Sequence, residues 1–241
     1  ALVDSLDDCF GRIEQALAHR GLTEDTLVVF TSDHGDLLRY VNRKRQYKSR
    51  PEPASCKVPL LIRYPGQLRP GSSDLLVGTL DLMPTLLGLL QLPVPAACDG
   101  RDLSHAMLVK DDSASTEVPL FHFTPNPCGW RGVVTRNHIY STQFGTSSSP
   151  YPVGFELLMD RKKDPYATSN LRDKPDVQAL QKELHERTVR WAAKFGDEVW
   201  SYADLERACA KNPEGFRTKS GELKGRPIDL ILQSGARGIL S

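Results

Sequence analysis

None of the five cysteines, Cys9, Cys56, Cys98, Cys128 and Cys209, stands in a CxxC pair or beside a histidine cluster. That spacing excludes a thiolate zinc site and a disulfide framework, and the odd count leaves at least one thiol free unless it bonds outside the chain. Charge of one sign is lacking as well: 31 basic side chains meet 30 acidic ones, for a formal net charge of +1. A mixed surface of this kind creates no field to draw nucleic acid or an anionic membrane, so neither is expected as a partner. The basic run from Arg39 to Arg50 is a local exception, and its ordinary reading is a solvated loop. Long hydrophobic runs are missing too. The apolar stretches are strand-sized, far short of the roughly 20 residues that span a membrane, so no membrane span is expected. The first residues do not have the basic-then-apolar form of a signal peptide. The compartment stays open between periplasmic, secreted, lysosomal and cytoplasmic. A GxGxxG turn, a GxxxxGKS/T loop and a GxSxG elbow are all absent, which removes support for pyrophosphate cradling and ordinary serine hydrolysis.

What is present is an α/β order. With 241 residues and 39% hydrophobic content the chain can bury a sizeable core. Residues 4 to 20 read as an amphipathic helix, with Leu6, Cys9, Phe10, Ile13, Ala16 and Leu17 at three- and four-residue steps and Gly21 as its stop. Leu27-Val28-Val29-Phe30 is a continuous apolar run of the kind that a parallel strand covered on both faces requires. Val58 to Tyr64 forms a second strand, closed by Pro65-Gly66. A helix begins at Asp81, with Pro84 tolerated in its first turn, and a short helix covers about Leu103 to Val109. Strand-like segments follow at Val118 to Phe123, Trp130 to Val134, His138 to Gln143 and Phe155 to Asp160, and a helix over Asp176 to Phe195. The expected division is 1–111 as part of an α/β core, 112–200 as a smaller subdomain of antiparallel sheet and helix, and 201–241 as an extension or arm.

The most informative stretch is Thr26 to Asp36, because an apolar strand runs straight into Asp33, His34 and Gly35. Ligands of open α/β sheets gather at the carboxyl ends of strands, where a carboxylate and an imidazole are placed to hold a metal ion. Neighbouring extended residues point to opposite faces, so both can address one ion only if the chain turns at once, and Gly35 supplies that freedom. Two ligands do not complete a site, since calcium takes six to eight oxygens. The plainer reading is a carboxylate capping the next turn beside a surface histidine. Lys44 and Lys48 follow within a short loop, where an ammonium suits an oxyanion held by a metal, or simply faces solvent. His122, ending a strand, either meets substrate or bonds to a backbone carbonyl. Trp130, Trp191 and Trp200 read as packing residues.

Taken together, the chain resembles the later half of a sulfatase, in the alkaline phosphatase superfamily. The resemblance rests on Leu6 to Ile13, Thr26 to Asp36, Val58 to Gly66, Asp81 to Leu86, Gly100 to Leu103, Trp130 to Val133 and Glu156 to Asp160, followed by Asp164-Pro165 and Asn170-Leu171. It covers most of residues 1 to 197. It implies a sulfatase-like α/β/α sandwich portion with a smaller C-terminal α+β subdomain. It also implies that Asp33 and His34 bind a divalent metal, usually Ca2+, and that a lysine after them contacts the sulfate. Counting back from Val58-Pro59 makes Lys48 the nearest match and the expected catalytic contact, with Lys44 and His122 as further substrate contacts. The implied reaction is hydrolysis of a small sulfate ester. A phosphonate monoester or phosphodiester hydrolase using Mn2+ or Zn2+, or a noncatalytic homologue, stands as the alternative.

The family's CxPxR-like or SxPxR-like nucleophile motif, whose Cys or Ser becomes formylglycine, is not found, and Ser49-Arg50-Pro51 does not match it. The reading is therefore a C-terminal half whose nucleophile resides on a missing N-terminal half or a companion chain. An exposed sheet edge then leaves room for contact with another chain, including a second copy.

Overall fold

The structure is a computed structural model that describes residues 2–38, 48, 50–122, 129–144, 155–172 and 174–197. The expected arm at 201–241, Trp200, Cys128 and Cys209 lie outside the described residues. The chain divides into two compact units. One holds the residues up to Asp33 together with Val58–Thr116, and the other holds His34–Lys57 together with the chain from Glu117.

In the first unit α1 (Leu2–His19) ends where Gly21 adopts φ 68°, and the Leu22 amide returns to the Leu17 carbonyl at 2.9 Å. Glycine is suited to that left-handed stop because it has no Cβ to clash. No residue of α1 is buried, and of its apolar stripe Leu6 and Ile13 are exposed; it meets the two-stranded ladder of β1 (Val28–Thr31) and β2 (Leu60–Arg63) where Phe10 contacts Phe30 edge-on at 5.8 Å. The Arg63 guanidinium pairs with Glu14 at 2.8 Å. The expected parallel, doubly covered strand is not what forms. β1 runs antiparallel to β2, Val28 opposite Arg63 and Thr31 opposite Leu60, and both strands are only partly buried. A short apolar run fixes neither direction nor the number of covered faces.

The next helix, α3 (Thr79–Leu89), follows a one-turn helix α2 (Pro53–Cys56) that belongs to the other unit. It opens two residues before the expected start because the Asp81 carboxylate accepts the Gly78 amide at 3.0 Å. Pro84 therefore sits inside the helix, not in its first turn. Asp81 is 3% exposed and also receives the Arg101 amide at 2.8 Å and its guanidinium at 2.7 and 3.1 Å. One buried carboxylate thus caps a helix and anchors the loop entering α4 (Ser104–Val109).

The second unit is built on a four-stranded antiparallel meander of β3 (Glu117–Phe121), β4 (Gly129–Thr135), β5 (His138–Phe144) and β6 (Phe155–Asp160). Alternation sends Val133, Tyr140 and Leu158 to one face, where Leu184 of α5 (Gln178–Lys194) covers them. Ile139, Leu157 and Met159 go to the other, against Ala167. Two covered faces explain why Leu157-Leu158-Met159 is apolar without a break. The fully buried Tyr140 places its hydroxyl 2.5 Å from Glu156 and 2.9 Å from His185 Nδ1. Trp191 donates to Glu117 at 2.8 Å, and Arg131 is clamped by Asp197. Among the described residues no helix is long and apolar enough to cross a membrane.

Burial is the largest single influence on the Asp81 carboxyl and pushes its pKa up. The Arg101 side chain, with the Arg101 and Gly78 amides, outweighs it and holds the group below the usual carboxylate range. A carboxyl depressed on folding stabilises the fold above its unfolded pKa, and that contribution is lost as pH falls through the folded value. Asp81→Asn is expected to lower stability by about 2 kcal/mol at neutral pH in urea denaturation, from loss of charged hydrogen bonds. The gap to the unsubstituted protein should narrow on acidification, and a gap that stays constant would contradict the assignment.

Candidate functional site

Asp33 follows β1 by two residues and is exposed, with the Ser32 hydroxyl 3.4 Å from its Oδ1. His34 is half-buried. Its Nδ1 lies 2.9 Å from the Gly35 carbonyl oxygen and its Nε2 lies 3.0 Å from Lys48 Nζ. A carbonyl only accepts and an ammonium only donates, so these partners assign the proton to Nδ1 and the lone pair to Nε2. The imidazole is thus neutral and presents its acceptor nitrogen to a cation.

A tight turn holds both sides of that contact. The Gly35 amide donates to the Ser55 carbonyl at 2.8 Å, and a Cβ at Gly35 would stand 2.0 Å from the Ala54 oxygen. The role expected of Gly35 is to let the chain turn at once, and what requires a glycine there is the close approach to Ala54, not a left-handed backbone. Its φ lies outside that region, and Leu38 takes the positive value of 42°. The Asp36 carboxylate steadies Leu38 by accepting its amide at 2.7 Å, while Leu37 points inward.

On the lysine side, the Arg50 amide donates to Ser55 Oγ at 3.2 Å and the Cys56 thiol donates to the Arg50 carbonyl at 2.7 Å. The Arg50 guanidinium meets Glu52 at 2.5, 3.1 and 3.2 Å, the two residues being 9% and 1% exposed. Pro53 opens α2 at a position where its missing amide costs nothing. Burial, reinforced by the Glu52 charge and opposed by a Ser55 hydrogen bond, pushes the Cys56 thiol up to about 12, so it is an inert packing group.

Of the residues singled out from the sequence, the structure brings His34 and Lys48 into contact. Lys44 lies outside the described residues. His122 is one residue past β3, its amide donating to the Trp130 carbonyl at 3.0 Å and its ring tilted on the Trp130 ring at 5.8 Å. Burial and then the Arg131 charge push its pKa down, which keeps the imidazole neutral. The Arg50–Glu52 pair and the Ser55 hub escaped sequence reading. Their one trace is Pro51 and Pro53 bracketing Glu52, which marks a rigid turn but not an ion pair.

Among the described residues no group of three or more His, Cys, Asp or Glu side chains is placed to hold a metal ion. His34 nonetheless fits a ligand role. Metal-binding histidines give their other ring N–H to an oxygen acceptor, as Nδ1 does here to Gly35.

Residues 1–92 match the Sulfatase family model, and residues 50–194 match the model described as N-sulphoglucosamine sulphohydrolase, C-terminal. The chain is 30% identical over 202 residues to the Ulvan-active sulfatase of Formosa agariphila, covering 81% of this chain and 38% of that protein. It is 31% identical over 204 residues to the Endo-4-O-sulfatase of Bacteroides thetaiotaomicron, covering 76% and 39%. A solved Bacteroides thetaiotaomicron structure described under the metabolism of multiple glycosaminoglycans superposes with a TM-score of 0.70 at 25% identity, over 81% of this chain and 42% of that one. The chain spans about two-fifths of the length of these curated relatives.

The two family matches correct the expectation of a C-terminal-only chain. Helix α1, β1 and the Asp33-His34 segment are sulfatase-domain sequence, joined in one chain to the C-terminal region. The expectations built on an absent half fall with it, namely formylglycine supplied from a missing N-terminal half and a companion chain that carries it. The fold class stands: α/β of the sulfatase and alkaline phosphatase kind, with a smaller α+β subdomain.

Gly35→Ala is expected to separate the Gly35 amide from the Ser55 carbonyl, at a cost of about 1–3 kcal/mol for the forced shift. Hydrogen exchange at the Gly35 amide reads this directly. Faster exchange in the variant is predicted, and unchanged protection would show that the turn does not hold the segment.

Proposed function

The chain belongs to the sulfatase family, and from that premise we propose that it takes part in hydrolysis of sulfate esters at a site containing Asp33, His34 and Lys48. The observation that carries this reading is the 3.0 Å contact of Lys48 Nζ with His34 Nε2 on the segment that follows β1. Asp33 offers a hard anionic oxygen and His34 a fixed lone pair, and together they are read as two ligands of a divalent ion, with Ca2+ preferred. Bound there, the ion would supply Lewis-acid stabilisation of the sulfuryl oxygens. Lys48 contributes three hydrogen-bond donors on a compact charge, suited to an oxyanion that gains charge in the transition state. Nε2 has one lone pair, so a bound ion would compete with Lys48 for it, and the displaced ammonium would be available to a sulfate oxygen. His122, kept neutral beside Trp130, is carried as a further substrate contact, and Lys44 as a second basic one. The names of the relatives favour a sulfated glycan as substrate class. The division into a core part over 1–111 and a subdomain over 112–200 belongs to the same proposal.

The test is sulfate release from an aryl sulfate probe by the protein that carries this chain, with calcium present. Lys48→Ala is expected to lower kcat/KM about a hundredfold, the usual loss for a donor to a developing oxyanion. In calorimetry, Lys48→Met should raise Ca2+ affinity about fivefold, since about 1 kcal/mol of competing hydrogen bond is removed. Unchanged turnover in Lys48→Ala would remove the lysine from the site, and unchanged calcium affinity would remove the competition.

A further inference from the structure

We infer that the buried Arg50–Glu52 pair is a positioning device that sets the Lys48 ammonium against the His34 imidazole. Ser55 is the shared anchor: its carbonyl accepts the amide of Gly35, the residue after His34, and its hydroxyl accepts the amide of Arg50, two residues after Lys48. The chain thus approaches the contact from both sides through one residue that is 3% exposed.

On the lysine side every named constraint converges on Arg50. Its amide donates to Ser55 Oγ, its carbonyl accepts from the Cys56 thiol, and its guanidinium donates three hydrogen bonds to the Glu52 carboxylate. Two residues of chain span at most about 7 Å, so holding the backbone of residue 50 confines where the Lys48 Cα can stand. Lys48 itself is exposed, and its long side chain would otherwise sample many rotamers.

Burying an ion pair brings a desolvation penalty that an apolar pair of similar volume would avoid. At Glu52, which is 1% exposed, that penalty is met beside the loop that presents the lysine. The Glu52 backbone is committed too, since its carbonyl accepts the Ser55 and Cys56 amides at 2.9 and 3.1 Å. Pair and turn are therefore joined through the same backbone from which Lys48 is two residues removed. This deepens the sulfatase reading of Lys48 and rests on it for any effect on turnover, whereas the placement of the ammonium can be measured without turnover.

The test uses the protein with its histidines labelled with 15N at one fixed pH and with chelator present. Lys48→Met supplies the displacement of the His34 Nε2 resonance that belongs to the lost ammonium. Glu52→Gln is expected to displace the same resonance in the same direction although Glu52 does not touch the ring. The double variant should show no further displacement, and Glu52→Asp should restore part of the original position.

A wild-type resonance in Glu52→Gln, additive displacements in the double variant, or loss of the whole far-ultraviolet signal in Glu52→Gln would each overturn the inference. The last would mean that the pair supports the fold at large. If Glu52→Gln displaces the resonance while Lys48→Met leaves sulfate release intact, the positioning holds and the catalytic reading of Lys48 fails. If Lys48→Met loses turnover and Glu52→Gln changes neither resonance nor turnover, the catalytic reading holds and the positioning fails.

Discussion

The Gly35 amide and the Ser55 carbonyl are 2.8 Å apart across a gap with no room for a Cβ, and the geometry of the candidate site follows from that contact. It ties the segment carrying His34 to the turn that leads on from Lys48. With the backbone fixed there, the imidazole has one tautomer that satisfies both neighbours, Nδ1 giving its proton to the Gly35 carbonyl and Nε2 facing the ammonium. A loose loop would leave that nitrogen to water. A buried turn makes it a defined acceptor.

Both units use a buried carboxylate next to an arginine as a joint. In one, Asp81 and Arg101 bind the first turn of α3 to the loop before α4. In the other, the buried Glu52 closes the turn with Arg50, and two half-buried carboxylates act alongside it: Asp197 clamps Arg131 on β4, and Glu117 links Arg187 and Trp191 of α5 to β3. Pairs of this sort add little net stability but penalise every arrangement that separates them. They are suited to places where position matters more than strength. The hydrophobic work is done elsewhere, by the doubly covered sheet whose Tyr140, Leu157 and Leu158 are at most 1% exposed.

How much of this could be read from the amino acids depended on whether the signal was local. Phe155–Asp160 forms the strand expected, because apolar residues bounded by polar segments permit little else, and Trp130 to Val134 pairs with His138 to Gln143 across the two-residue link Arg136-Asn137. The direction of β1 was hidden, since Val28-Val29-Phe30 is equally apolar in either pairing. Pro84 misled because proline marks an early helical position, while the Asp81 cap that moves the start to Thr79 depends on Arg101, twenty residues on. Asp33 and His34 were legible as a pair by adjacency to an apolar run. The contact between Lys48 and His34 spans fourteen residues, so spacing could nominate the lysine but not join it to the ring. The Arg50–Glu52 pair left no periodic trace at all. A missing CxPxR-like motif does not signal a missing sulfatase domain, because the segment that precedes Asp33 is itself sulfatase-domain sequence.

The central claim is that His34 Nε2 is a metal-ligand position at which Lys48 gives way to a divalent ion. Anomalous diffraction from crystals of the protein grown with manganese, used as a substitute for calcium, tests it directly. The account predicts an anomalous peak at coordination distance from both His34 Nε2 and the Asp33 carboxylate, with the Lys48 ammonium moved off the ring. A fully occupied peak elsewhere, with Lys48 Nζ still hydrogen-bonded to His34 Nε2, would contradict it.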